Sequence, residues 1–449
     1  MSKKKTTKKN RDTVASDFAS SLTDTEQANP AAADLLRLCV FLCPENIPEE
    51  ILKDGIKELG GHFERIADDS AAWDEALHEA CNTGILRHNP SRKIMTMNFS
   101  VQEFLRQGMS ESEQRNWAEQ AVRAVNKVFP EVEFANWQQC QRLLRGAQTC
   151  TQWIIKWDLA FEEAAHLLSE TASYLHENGQ YAQARPLYEQ ALAIREEILG
   201  KEHPEVAENL NDLANLYHIQ GRYEQAKPLY NRALNIAEKA LNNEAADTKK
   251  LHQKRAISFN NLGSLHKAQK LFEEAKPYYE QALDIWENVL GEETANLAAT
   301  LNNLGGLHEA QGDYETAKSM YERALKIWDE AVEDDHPNIS ATINNLGGLY
   351  KAMGEDDKVR PLLAQALTIH EKALGEDHPD VAISLNNLAE FYKSIEDYAQ
   401  AKPMYERALK ILKDTFDSNH PHRVMCTKNY EHLLFLMKKP RKRWSKRRK

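Results

Sequence analysis

Residues 301–327 read LNNLGGLHEAQGDYETAKSMYERALKI, and this stretch decides the fold. Leu301, Leu304 and Leu307 fall on one face of a helix. Gly312 is placed to end that helix, because glycine enters the left-handed position past a helix terminus without a Cβ clash. Tyr314, Ala317, Tyr321, Ala324 and Ile327 then form the buried stripe of a second helix. Its alanines let the two helices approach closely, and its tyrosines fill the space beside them.

The stretch repeats. Leu301-Asn302-Asn303-Leu304 returns as Ile343-Asn344-Asn345-Leu346 and Leu385-Asn386-Asn387-Leu388, each 42 residues on, and is preceded 42 residues earlier by Phe259-Asn260-Asn261-Leu262. One more step back, Leu210-Asn211-Asp212-Leu213 lies 49 residues away, so seven extra residues within Asn242–Lys254 are predicted to form an inserted polar loop. A degenerate first copy begins near Leu168, making six. Units close on His203-Pro204, His336-Pro337, His378-Pro379 and His420-Pro421, with proline suited to the first turn of the next helix. These histidines are predicted to be separate turn residues. Pro186, Pro228, Pro277, Pro361 and Pro403 recur inside the second helix, where each should remove one ladder hydrogen bond. No single helix pair can bury both faces, so the pairs are expected to stack into a mainly α solenoid with a capping helix near Arg423–Met437.

The 42-residue unit, with its LNNL string, Gly-x-Tyr-x-x-Ala turn, Ala-Leu-x-Ile stripe and Leu-Gly-x-x-His-Pro closure, resembles the tetratricopeptide repeats of kinesin light chains and of many bacterial signalling proteins. The resemblance covers 161–437 and implies a superhelical array whose first helices line a concave, peptide-binding surface. The third copy departs from it at Lys270 and Glu293-Thr294, and the fifth at Asp356 and Val359. Register puts Asn211 and Asn215, Asn260 and Lys267, Asn302, Asn344 and Lys351, and Asn386 and Lys393 along that surface, with Asn261, Asn303, Asn345 and Asn387 one step round. An amide both donates and accepts, so a ladder of them suits the backbone of an extended peptide. Lys267, Lys351 and Lys393 would favour acidic partners. The competing reading is that the asparagines satisfy one another and bind nothing.

Residues 1–30 are polar and predicted to be disordered. From residue 31 the pattern is three helices (Ala32–Cys43, one opened by Ile47-Pro48, and Ala71–Asn82), then a hairpin of Gly84–Arg87 with Ile94–Met97, then a helix over Phe99–Leu105. Over 31–110 this order, with Leu36–Leu42, Ile47–Glu50 and Glu103–Arg106, resembles the winged-helix part of NB-ARC/STAND signalling proteins. A helical connector over 111–160 joins it to the repeats. No Walker A string precedes residue 31, so the nucleotide-binding module of that resemblance is not expected here.

Net charge is −11, yet residues 438–449 hold nine Lys/Arg and no acid. That run suits contact with nucleic acid, anionic lipid or a nuclear-import receptor. No apolar run approaches the ~18 residues of a membrane span, and the six cysteines form neither a CxxC pair nor a disulfide framework. A cytoplasmic protein, or a nuclear one if eukaryotic, is expected. No catalytic constellation, metal set or cofactor motif stands out, so the reading is a non-enzyme. It would be an interaction scaffold for a peptide or protein. The alternatives are a sensor subunit of a STAND-type system and a nucleic-acid-associated protein using the tail. If six or more of the tail cations meet phosphates, affinity for a labelled DNA duplex should drop about 10³-fold or more between 50 and 200 mM salt in fluorescence anisotropy; salt-independent binding would exclude an electrostatic tail.

Overall fold

A computed structural model describes residues 20–242, 247–291, 294–332 and 336–438. The basic run over 439–449 and most of the polar N-terminal segment lie outside the described residues. The chain divides into two compact units, 1–174 with 183–201, and 175–182 with 202–449.

The first unit opens with α1 (20–28), a helix within the segment expected to be disordered. Thr25 is buried there, its hydroxyl donating to Ser21 O at 2.8 Å. Asn29 caps α2 (Pro30–Val40), accepting the Ala32 N–H at 3.1 Å. Ile47-Pro48 does not open a helix as expected; it forms β1 and pairs with Met95 and Ile94, and α3 (Glu49–Lys53) starts immediately after it. Proline at this edge costs no ladder bond. Next come α4 (Glu64–Ala67) and α5 (Ser70–Asn82), then β2 (Leu86–Asn89) and β3 (Ile94–Met97), giving an antiparallel sheet in the order β1-β3-β2. Beyond it lie α6 (Phe99–Gln107), α7 (Glu111–Val128) and α8 (Trp137–Trp157). Gln102 is buried, and its amide donates to Cys39 O and Leu42 O at 2.8 and 3.1 Å, satisfying carbonyls at the end of α2. Cys39, Cys140, Cys150 and Cys426 are buried, and burial raises each thiol, to about 11 at Cys140 and about 12 at Cys426, so they pack as inert small hydrophobes.

Six helix pairs follow: α9 (Glu162–Glu177) with α10 (Tyr181–Leu199), α11 (Pro204–Ile219) with α12 (Tyr223–Asn242), α13 (Thr248–Ala268) with α14 (Phe272–Asp284), α15 (Ala295–Gln311) with α16 (Tyr314–Ala331), α17 (Pro337–Met353) with α18 (Asp356–Leu374), and α19 (Pro379–Ser394) with α20 (Tyr398–Thr415). α21 (Pro421–Lys438) follows them. Within a pair, small first-helix residues admit the second helix. A Cβ on Gly263 would lie 2.8 Å from the Tyr279 ring, and one on Gly305 2.9 Å from the Tyr321 ring. Between pairs, Trp286 and Trp328 fill one core with Phe259, Leu297, Leu301 and Ile327.

One expectation about the repeats changes. The insertion is helix from Thr248 onward rather than loop. Asp247 caps it, Leu251 is buried, and Lys254 reaches Pro204 O at 3.0 Å, so the extra residues lengthen α13 against the preceding pair. The recurrent prolines all stand at the sixth residue of their helices and are all exposed. The carbonyl that loses its donor is four residues back, on an exposed residue of the first turn, so the lost bond is not left in the core.

Lys270 and Glu396 occupy the turn position that glycine holds elsewhere, at φ 63° and 62°. A side chain in the left-handed region costs roughly 1–2 kcal/mol. Lys270→Gly and Glu396→Gly should therefore each stabilise the protein by about 1 kcal/mol in urea unfolding, provided the surface charge they remove is inert.

Candidate functional site

The first helices of the second unit carry two asparagine columns. The leading column is Asn211, Asn260, Asn302, Asn344 and Asn386; the following one is Asn261, Asn303, Asn345 and Asn387, extended by Asn429 in α21. Neighbouring repeats join these columns in two ways. Asn303, Asn345 and Asn429 donate Nδ2 to Oδ1 of Asn260, Asn302 and Asn386 at 3.1, 2.9 and 3.1 Å. Asn211 and Asn344 instead donate to the hydroxyls of Ser258 and Ser384 at 3.0 and 2.6 Å.

The residue three positions before the following asparagine sorts the two modes. It is serine at 258 and 384, threonine at 300 and 342, and cysteine at 426. Both threonines turn their hydroxyls back on their own helix, to Asn296 O and Asn338 O at 2.9 and 3.0 Å, as Ser258 also does to Lys254 O at 3.0 Å, so the back-bond alone does not sort the modes. All four hydroxyl residues are buried, and threonine adds a methyl that competes for the space an asparagine amide would enter. Where serine is present, the following asparagine is released from the cross-repeat bond. Asn261 Nδ2 is then buried without a partner, as is Asn344 Oδ1.

Exposure divides the predicted residues further. Asn211, Asn344 and Asn386 are buried at 5%, 5% and 3% exposure and act between repeats. Asn215, Asn260, Asn261, Asn302, Asn303, Asn345 and Asn387 are partly exposed, as are the three lysines. The asparagines thus do satisfy one another in part, while an amide with two donors and an acceptor keeps capacity beyond a single bond.

Tyrosines from the second helices reach this face. Tyr230 donates to Asn215 Oδ1 at 2.5 Å and Tyr321 to Glu309 at 2.8 Å, and Tyr405 bonds Glu390. Glu390 also pairs with Lys393 and lies 3.9 Å from Lys351, so two of the three lysines share one carboxylate. Lys267 differs. Its Nζ lies 3.4 Å from Asn303 O, and a Cβ on Gly306 would collide with it at 2.4 Å. Burial pulls its ammonium down to about 8, with Glu309 opposing that shift. Glu309 is itself raised by burial, held back by Tyr321 and Lys267.

The His-Pro histidines serve as helix caps. Nδ1 of His203, His336 and His378 accepts the N–H of Glu205, Asn338 and Asp380 at 3.3, 3.2 and 3.1 Å. They are not all separate, however. His378 and His420 line one cavity of about 280 Å³ with His176, His218 and His422. The linear pattern concealed this, because the partners are about 200 residues apart. Among the described residues no group of three or more His, Cys, Asp or Glu could hold a metal ion.

The tetratricopeptide repeat family model matches residues 163–239, 254–330, 296–372 and 338–414. A domain of unknown function (DUF7779) matches 23–114. No curated protein matches the chain in sequence. Among solved structures, BtubC (BKLC) from P. vanneervenii is 27% identical over 57% of this chain and 92% of its own, with a TM-score of 0.37. A kinesin-light-chain-like protein of Podosopora anserina with nearly identical TPR-like repeats is 25% identical over 47% and 97%, at 0.36. A STAND signal-transduction ATPase with a tetratricopeptide repeat sensor from Pyrococcus horikoshii is 15% identical over 93% and 61%, at 0.47. No helix among the described residues is long and apolar enough to cross a membrane.

Exchanging the sorting residue tests its role. In a crystal structure of Ser258→Thr, Asn261 Nδ2 should turn to Asn211 Oδ1, with a change of about 1 kcal/mol in stability. An unchanged Asn211–residue 258 bond would show that the serine–threonine correlation is incidental.

Proposed function

This chain belongs to the tetratricopeptide-repeat family, and we propose that its asparagine-bearing face holds an extended segment of a partner protein. The family fold serves protein–protein interaction, and the chain is a scaffold of that kind. What supports placing the contact on this face is the run of partly exposed amides at one register through consecutive first helices, Asn260 to Asn387. Amides spaced along neighbouring helices meet a peptide backbone irrespective of its side chains.

Selectivity falls on Lys267. Lys351 and Lys393 already share Glu390, whereas Lys267 meets one carbonyl and keeps two further protons. A carboxylate entering beside it would further favour the charged ammonium, opposing the effect of burial. The partner is accordingly an extended peptide with an acidic residue near the third and fourth pairs. The chain itself performs no chemistry in this reading.

A second reading concerns the N-terminal unit. Its order of helix, strand, three helices and two strands, with β1 on the outer side of β3, supports reading it as a winged helix. On that basis residues 31–110 are a packing module, and the chain works as the sensor part of a STAND-type system.

Affinity purification with mass spectrometry, comparing wild type with Asn303→Ala/Asn345→Ala, identifies the partner and tests the face together. Losing two amide bonds of about 1 kcal/mol each should weaken binding by roughly 30-fold in subsequent titration, and Lys267→Ala should weaken it by a further factor of ten or so. A captured partner that binds the double variant with wild-type affinity, while thermal melts show both proteins folded, would sink the proposal.

A further inference from the structure

Within the second unit, two early turns rest against the starts of two late helices, by the same contact each time. His378 Nε2 meets Glu177 O at 2.9 Å, and His420 Nε2 meets Ile219 O at 2.5 Å. The adjoining turn glycines have no room for a side chain. A Cβ on Gly179 would lie 2.8 Å from Pro379 Cδ, and one on Gly221 3.0 Å from Pro421 Cδ. Tyr181 stacks on Phe416 at 5.6 Å, and Phe416 on His420 at 3.7 Å. The cavity of about 280 Å³ lies along this seam.

Carbonyl acceptors fix the protonation of both histidines. His378 must donate through Nε2–H, while its Nδ1 accepts the Asp380 N–H at 3.1 Å. Only the neutral ring satisfies both partners. A second proton would turn Nδ1 into a donor facing a donor and would place a cation at a helix N-terminus, where the backbone dipole opposes it; the Asp380 carboxylate, 3.8 Å from Nδ1, acts the other way. His420 also donates through Nε2–H, and its Nδ1 is buried without a partner. A proton there would leave an N–H buried with no acceptor. We propose that these two histidine–carbonyl contacts are an acid-opened latch, which keeps residues 175–182 and 219–223 on 378–380 and 416–422 at neutral pH and releases them on acidification.

Other groups facing the seam weigh in the same direction. On the early side, burial pulls His176 and His218 down to about 4. On the late side, burial lowers His420 and His422, and it lowers His370 at the end of α18 against an opposing pull from Asp380. Tyr181 and Tyr223 are raised by burial and stay neutral. Arg222 and Asp417 lie 4.0 Å apart across the seam. Glu177 is the exception, raised by burial to about 7, with Asp380 adding to the shift.

The signs follow from linkage. A histidine lowered on closure favours the closed form above its free value near 6.5, and that contribution is lost as pH falls toward about 4. Glu177 acts oppositely, favouring closure below its free value near 4.5 and losing that contribution as pH rises toward about 7. Several histidines outweigh one carboxyl, so closure weakens between pH 6.5 and 4.

Hydrogen exchange of the full chain at pH 7.5 and 5.0, corrected for intrinsic rates, reads the latch directly. Peptides covering 175–183 and 416–424 should lose about tenfold or more in protection at pH 5.0, while those within α15 and α16 hold theirs. His378→Gln/His420→Gln retains a donor for each carbonyl but removes the titrating rings, and should reduce that loss to about threefold or less. If the double variant does not fold, each single variant should blunt the response of its own segment. Equal protection at both pH values in wild type, or an undiminished response in the glutamine variants, overturns the proposal.

Discussion

The constraint on which the repeat array depends is the close seating of a second-helix side chain on a small first-helix residue. Tyr279 on Gly263, Tyr321 on Gly305 and Leu363 on Gly347 leave no room for a Cβ, and Ala214 and Ala389 fill the same register in the second and sixth pairs. Dispersion across so tight a contact is lost quickly with any gap. The same seating delivers the tyrosine hydroxyls through the pair to the opposite face, where Tyr230 and Tyr321 meet Asn215 and Glu309. The packing residue of the core is thereby also an organiser of the candidate binding face.

Between pairs, a single buried position decides how the amides are spent. Serine at 258 and 384 draws the asparagine of the preceding repeat to itself, while threonine at 300 and 342 leaves the asparagines to join each other. A difference of one methyl, out of solvent, therefore goes with a different set of amide bonds between repeats. Charge is distributed on that face with similar economy, as Glu390 holds Lys351 and Lys393 while Lys267 meets Asn303 O with Glu309 nearby.

Much of this was legible in the chain. The 42-residue period, the glycine turns and the tyrosine–alanine stripe define the pairs, because each reflects contacts within a repeat or with its neighbour. Three features were hidden for physical reasons. Ile47-Pro48 reads as a helix start, since the strand exists only through its pairing with Met95. Thr248–Lys254 is polar enough to be a loop, and is helix because Asp247 caps it and Lys254 has a carbonyl to reach. The histidine seam depends on residues some 200 positions apart, which no local pattern reports. Among site residues, the columns were visible, but Asn211, Asn344 and Asn386 could not be separated from their exposed neighbours without the packing. Aligning the repeats would have shown the Ser258, Thr300, Thr342, Ser384 column, and only the hydrogen bonds give it meaning.

The central claim is that the amides of the first helices bind a peptide backbone. A crystal structure of the chain with a peptide derived from its captured partner is the most direct measurement. The account predicts an extended peptide with backbone atoms within about 3.2 Å of the Asn303 and Asn345 side-chain amides, and a carboxylate beside Lys267. A peptide seated on the second helices, with every asparagine pair undisturbed, would contradict it.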